Sequence, residues 1–178
     1  MRFYAKDEVA LKLADYIVYG MGKLGGSMSD PNQQKFLDDA LKSENIMLQA
    51  RAVRASAEIL GVTMDADKMN GLRHTCHLIL DGKDIEAQQR LGVASPRRLN
   101  PWARRQLATY TVEALSHIGD ATSISVLRSF YLRPAQNRPD PRDEMLRKTS
   151  WETAEAIRLR TRDEQQKRTQ NSGGERSY

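Results

Sequence analysis

Apolar residues recur along this chain at three- and four-residue spacing. No run alternates with a period of two and β-branched enrichment, and the one Asn-Gly pair, Asn70-Gly71, sits inside a helical pattern instead of joining two strand-like runs. A chain patterned this way buries its apolar face only by packing helix on helix, so the expected class is all-α. "IMLQARAVRASAEILGV" is the clearest case: Ile46, Ala50, Val53, Ala57 and Leu60 fall on one side of a helix.

Punctuation residues set the expected boundaries. A first helix is predicted over 6–24, with Val9, Leu13, Tyr16, Ile17 and Gly20 as its packed face and Gly25-Gly26 as its stop. Asp30-Pro31 reads as cap and first turn of a second helix, which carries Phe36, Leu37, Ala40 and Leu41. Gly61 is the expected end of the third helix. Thr63 or Asp65 caps a fourth bearing Met69, Leu72, Cys76 and Leu80, which Asp81-Gly82 terminates. A short helix followed by a loop fits residues 83–99. Asn100-Pro101 repeats the cap-then-proline signal ahead of a fifth long helix. In "ALSHIGDATSISVLRSF" Gly119 permits a left-handed helix end and Asp120 can cap the next helix, so the pair predicts a tight turn. A last helix has Met145, Trp151, Ala154 and Ile157 as anchors. Residues 1–161 then form one helical domain, and the polar segment 162–178 is expected to be a disordered tail.

Charge is unevenly distributed. The first 86 residues hold two more acids than bases, and the remainder holds seven more bases than acids. From Ala87 to Val112 there are five arginines and no acid, which points to an anionic partner. Hydrophobic residues are 39% and charged residues 29%, a soluble balance. The single cysteine, Cys76, rules out an internal disulfide and fits a reducing compartment. In the N-terminal region the longest uncharged run, 16–22, is too short for a signal core or a membrane span, so a cytoplasmic protein without membrane insertion is expected.

Few side chains suggest chemistry. His74, Cys76 and His77 resemble a ligand set only until the ligands are counted: zinc needs three or four, and His117 is the sole further histidine. Cys76 lies on an apolar seam, where cysteine behaves as a small hydrophobe. "GMGKLGG" lacks phosphate-loop spacing and follows no strand. The exception is "RLGVASPRRLNPWARRQLATY". Arg97, Arg98, Arg104 and Arg105 bracket Trp102 near a helix start, where guanidinium forks suit phosphate or carboxylate and an indole can stack. No cofactor is expected.

"EALSHIGDATSISVLRSF" resembles the HEAT-like repeats of the family found in bilin lyases and many bacterial scaffolds. Ala114, Leu115, Ile118, Gly119, Asp120, Ala121 and Leu127 carry the match, and "RAVRASAEILGV" and "LRKTSWETAEAI" follow it more loosely. The arginine that the family places ahead of its Ala-Leu pair is missing, and the matched helices are unevenly spaced. The resemblance implies a short stack of antiparallel helix pairs, a HEAT-like α-solenoid, with an irregular helical bundle as the alternative. It also implies a non-enzymatic scaffold or adaptor whose basic half meets a protein partner with an acidic surface. The competing expectation is a nucleic-acid-binding module using residues 97–105.

Overall fold

The structure is a computed structural model that describes residues 8–23, 30–133 and 140–173, with the side chains of 8–11, 168 and 171–173 outside that description. Its helices are α1 (Glu8–Lys23), α2 (Pro31–Leu41), α3 (Ile46–Thr63), α4 (Ala66–Leu80), α5 (Asp84–Arg90), α6 (Pro101–Ile118), α7 (Ala121–Leu132) and α8 (Pro141–Gly173). No strand occurs among the described residues, and no helix among them is long and apolar enough to cross a membrane.

Side-chain caps start these helices, at Asp30, Asp65, Asn100 and Asp120 where the sequence places them and at Asn45, which the sequence pattern did not mark. The Asp30 carboxylate accepts from Asn32 N at 2.8 Å, Asn45 Oδ1 from Met47 N at 3.0 Å, and Asp65 Oδ1 from Lys68 N at 3.1 Å. Asn100 Oδ1 accepts from Ala103 N at 2.8 Å. Asp120 forms a capping box with Ser123. The ends depart from expectation in two places. Gly61 lies inside α3, whose left-handed end residue is Met64 (φ 58°). Gly119 is not left-handed either; the positive-φ glycines among the described residues are Gly82 and Gly92. Each of these closes a helix with paired 6→1 and 5→2 hydrogen bonds, Lys83 N to Leu78 O with Gly82 N to Ile79 O, and Val93 N to Gln88 O with Gly92 N to Gln89 O. The expected stop at Gly25-Gly26 lies outside the described residues.

The chain divides into two compact units, Met1–Ile118 and Gly119–Tyr178. The second unit is built on an antiparallel pair, α7 and α8. Arg160 Nη2 donates to Gly119 O (2.6 Å), Arg128 Nη2 to Glu155 Oε1 (2.5 Å) and Arg147 Nε to Tyr131 O (2.9 Å). Leu127, Leu146, Ala154 and Ile157 are buried, whereas Met145 is 72% exposed and Trp151 packs on Tyr131 at 5.1 Å instead of entering the core. α8 runs on to Gly173, so most of the segment expected to be a disordered tail is helical. Its Glu, Gln, Lys and Arg residues lose little side-chain freedom in a helix and propagate one already begun.

In the first unit α3 is the central element, packed against α1, α2, α4 and α6. Alanines 50, 52, 55 and 57 are buried around its circumference and let its neighbours approach. The pairings on one side fix the direction of three helices. Asp15 on α1 meets Arg51 on α3 (2.5 Å), and Arg51 lies over Tyr110 of α6 at 5.9 Å. Tyr19 lies under Arg54 at 5.8 Å, and Arg54 pairs with Glu113 at 3.1 Å. Lys23 pairs with Glu58 at 3.1 Å, and His117 Nε2 is 3.6 Å from the same oxygen. Each rung climbs all three helices together, so α1, α3 and α6 run parallel in one register. Leu115 and Ile118 are buried, as their place in the apolar pattern predicts.

The face expected to bury α1 is wrong. Leu13, Tyr16 and Ile17 are exposed, and Ala14 and Val18 make the contact. Small residues win because α1 lies close to α3 at Gly22, where an added Cβ would collide with the Glu58 carboxylate and come within 3.1 Å of the Ala55 backbone. At Gly20 an added Cβ meets nothing within 4 Å. Gly20→Ala should therefore stabilise the protein by about 0.5–1 kcal/mol, and Gly22→Ala should destabilise it although alanine is the better helix former. Denaturant melts of the two variants should move in opposite directions.

Glu58 generates a pH prediction. Burial opposes its ionisation, but the Lys23 and Arg54 hydrogen bonds and charges outweigh burial and hold its pKa below the usual glutamate value. A lowered carboxyl pKa adds stability that is fully present above the unfolded value and is lost as pH falls through the folded one. Glu58→Gln should cost about 1–3 kcal/mol near neutral pH. The gap from the wild type should shrink once pH drops below about 4, as read by denaturant melts at both pH values.

Candidate functional site

The basic segment 91–105 is shaped by two polar side chains that the sequence reading did not single out. α5 has only seven residues, yet Asp84 and Gln88 on it are almost fully buried. Gln88 Nε2 donates to Arg97 O at 2.6 Å, and Arg97 N donates back to Gln88 Oε1 at 3.2 Å. Leu99 N donates to Asp84 Oδ2 at 3.1 Å. The loop after Gly92 is thus held by backbone hydrogen bonds to side chains, the accounting that a buried loop edge requires.

Asp84 also takes Arg104 in a two-pronged pair, Nη2 to Oδ2 at 2.6 Å and Nε to Oδ1 at 3.3 Å. Hydrogen bonding to Asp84 pushes the Arg104 pKa further up. Four arginines that look alike in sequence therefore divide. Arg104 is committed to the fold. Arg105 is part-buried and lines neither cavity of this region. Arg97 and Arg98 are exposed, and their guanidinium groups have no partner among the described residues.

Arg97, Arg98 and Trp102 line one cavity of about 590 Å³. Its walls include Asn45, Ile46 and Met47 at the start of α3 and Asn100 and Ala103 at the start of α6. These two starts share one end of the unit because α3 and α6 run parallel, and both helix dipoles present their positive ends there. Trp102 is 50% exposed. Glu44 is the acid on the lining. Arg98 also borders a smaller cavity of about 360 Å³ with Arg104, Lys83, Asp84 and Glu86. The arrangement suits a carboxylate or phosphate flanked by an apolar or flat group.

The other sequence candidates separate. Cys76 is fully buried, and burial pushes its thiol up to about 12, which removes it as a nucleophile. His74 is exposed and His77 part-buried. No group of three or more metal-ligating side chains occurs among the described residues.

Replacing Arg104 by Gln leaves the Asp84 carboxylate buried without its cation, so Arg104→Gln should lose about 1–3 kcal/mol of stability. Arg97→Gln with Arg98→Gln should stay within about 0.5 kcal/mol of the wild type. Thermal melts of the two proteins check the division directly.

No protein-family model, curated protein or solved structure matches this chain.

Proposed function

We propose that the chain is a non-enzymatic helical-repeat scaffold that holds a partner protein through the exposed basic corner at Arg97, Arg98 and Trp102. The observation that carries this reading is the shared register of α1, α3 and α6. In a stack of antiparallel helix pairs, equivalent helices of successive pairs lie side by side and parallel, and the parallel course of α1, α3 and α6 along the three polar rungs supports this reading. The rungs tie the three helices to one another at successive levels, so the row acts as a rigid support. The Arg97 and Arg98 guanidinium groups at its end, without a partner among the described residues, supply charge for an acidic partner surface.

A second reading, nucleic-acid binding, is favoured by one feature: Trp102 is half-exposed beside two unpartnered arginines. Commitment of Arg104 to Asp84 weighs against it, since a protein neutralising about two phosphates has a log–log salt slope of only about −2 on duplex DNA.

Co-purification with and without nuclease, using wild type and the Arg97→Gln/Arg98→Gln variant, separates the two. The scaffold reading expects a protein partner that survives nuclease and is lost from the variant. Sub-micromolar, sequence-independent binding to DNA or RNA at physiological salt, abolished by the two substitutions, would overturn it.

A further inference from the structure

A third cavity, of about 490 Å³, lies away from the basic corner, between α2 and α4. Leu37 and Leu41 of α2, Leu60 of α3, Leu72 of α4 and Leu91 line it. Each wall runs about two helical turns, 34–42 on α2 and 68–75 on α4, roughly 10–12 Å at 1.5 Å per residue. Lys42, Lys68 and Arg90 border the cavity with one carboxylate, Asp38, on the lining, and Lys68 also pairs with Asp65 at 3.5 Å.

One feature of this groove has no use in the isolated fold. Gly71 sits in the middle of α4, where glycine weakens a helix, and an added Cβ would meet nothing within 4 Å. No internal contact requires a glycine there. Its position on the lining keeps the groove open and lets a foreign backbone come close.

We propose that the groove between α2 and α4 docks an amphipathic helix of a protein partner, one with leucine-like anchors and acidic flanks. The assignment rests on the scaffold reading and adds a second attachment face to it. A two-turn apolar trough between helices matches anchors at i, i+3, i+4 and i+7, and the excess of cations on its border selects acidic flanks.

The test uses the full chain and two labelled synthetic helical peptides in fluorescence anisotropy. Both carry leucines at i, i+3, i+4 and i+7; one has glutamate flanks and the other lysine flanks. The glutamate peptide should bind at least about tenfold more tightly. Gly71→Leu should weaken its binding by about tenfold or more while melting no lower than the wild type. Equal affinity for the two peptides, no binding of either, or unchanged binding by folded Gly71→Leu would overturn the proposal. So would saturable binding of decanoate that neither peptide displaces, which would assign the groove to a small amphiphile. These outcomes do not depend on nuclease or on Arg97 and Arg98, so the groove and the scaffold reading can fail separately.

Discussion

Glu58 is a carboxylate only 8% exposed, held between three helices. Burying a charge is unfavourable unless it is paired, and the cations here come from two different elements, Lys23 of α1 and Arg54 of α3 itself, with His117 of α6 close by. The pairing works only when the C-terminal halves of α1, α3 and α6 arrive together. A one-turn slip of α1 would strip Lys23 from Glu58, and a slip that brought Val18 to the place of Gly22 would drive the carboxylate against a larger side chain. Apolar packing of alanines would tolerate several registers; the polar rungs select one.

The same selection sets the geometry of the basic corner. Because α3 and α6 start at one end, the loop joining α5 to α6 must pass across that end, and its backbone polar groups need partners. Gln88 and Asp84 supply them from a helix too short to be stable alone. Holding Arg104 in that arrangement leaves Arg97 and Arg98 turned outward with Trp102. The charge available to a partner is therefore a remainder after the fold has used its share.

Much of this was legible in the sequence, and the rest was hidden for identifiable reasons. Caps at Asp30, Asn100 and Asp120 are local signals: one side chain bonds backbone two or three residues away, so composition reveals them. Leu72, Cys76, Leu80, Leu115 and Ile118 follow from helical period. The buried face of α1 does not, because Leu13, Tyr16 and Ile17 look like a better core than Ala14, Val18 and Gly22 until the closeness of α3 is known. The role of Glu58 was equally hidden, since its partners lie on other helices. In the basic segment the arginines and Trp102 were visible, but their unequal use was not. The available clue was that Asp84 and Glu86 are the last acids before an acid-free stretch with five arginines. Gly119 was assigned a left-handed conformation that Gly82 and Gly92 adopt instead, since Asp120 alone restarts the helix.

The central claim is that α1, α3 and α6 lie parallel in one register. Isotope-edited NOE spectroscopy tests it without perturbing the protein. Gly22 adjoins Ala55, and Gly61 adjoins the Cβ of His117, where an added Cβ would lie 3.5 Å away. Cross-peaks from the Gly22 Hα protons to the Ala55 methyl and from the Gly61 Hα protons to the His117 Hβ protons are expected in the same sample. Cross-peaks that instead join Gly22 to the first turn of α3, or Gly61 to the first turn of α6, would mean antiparallel packing and would contradict the account.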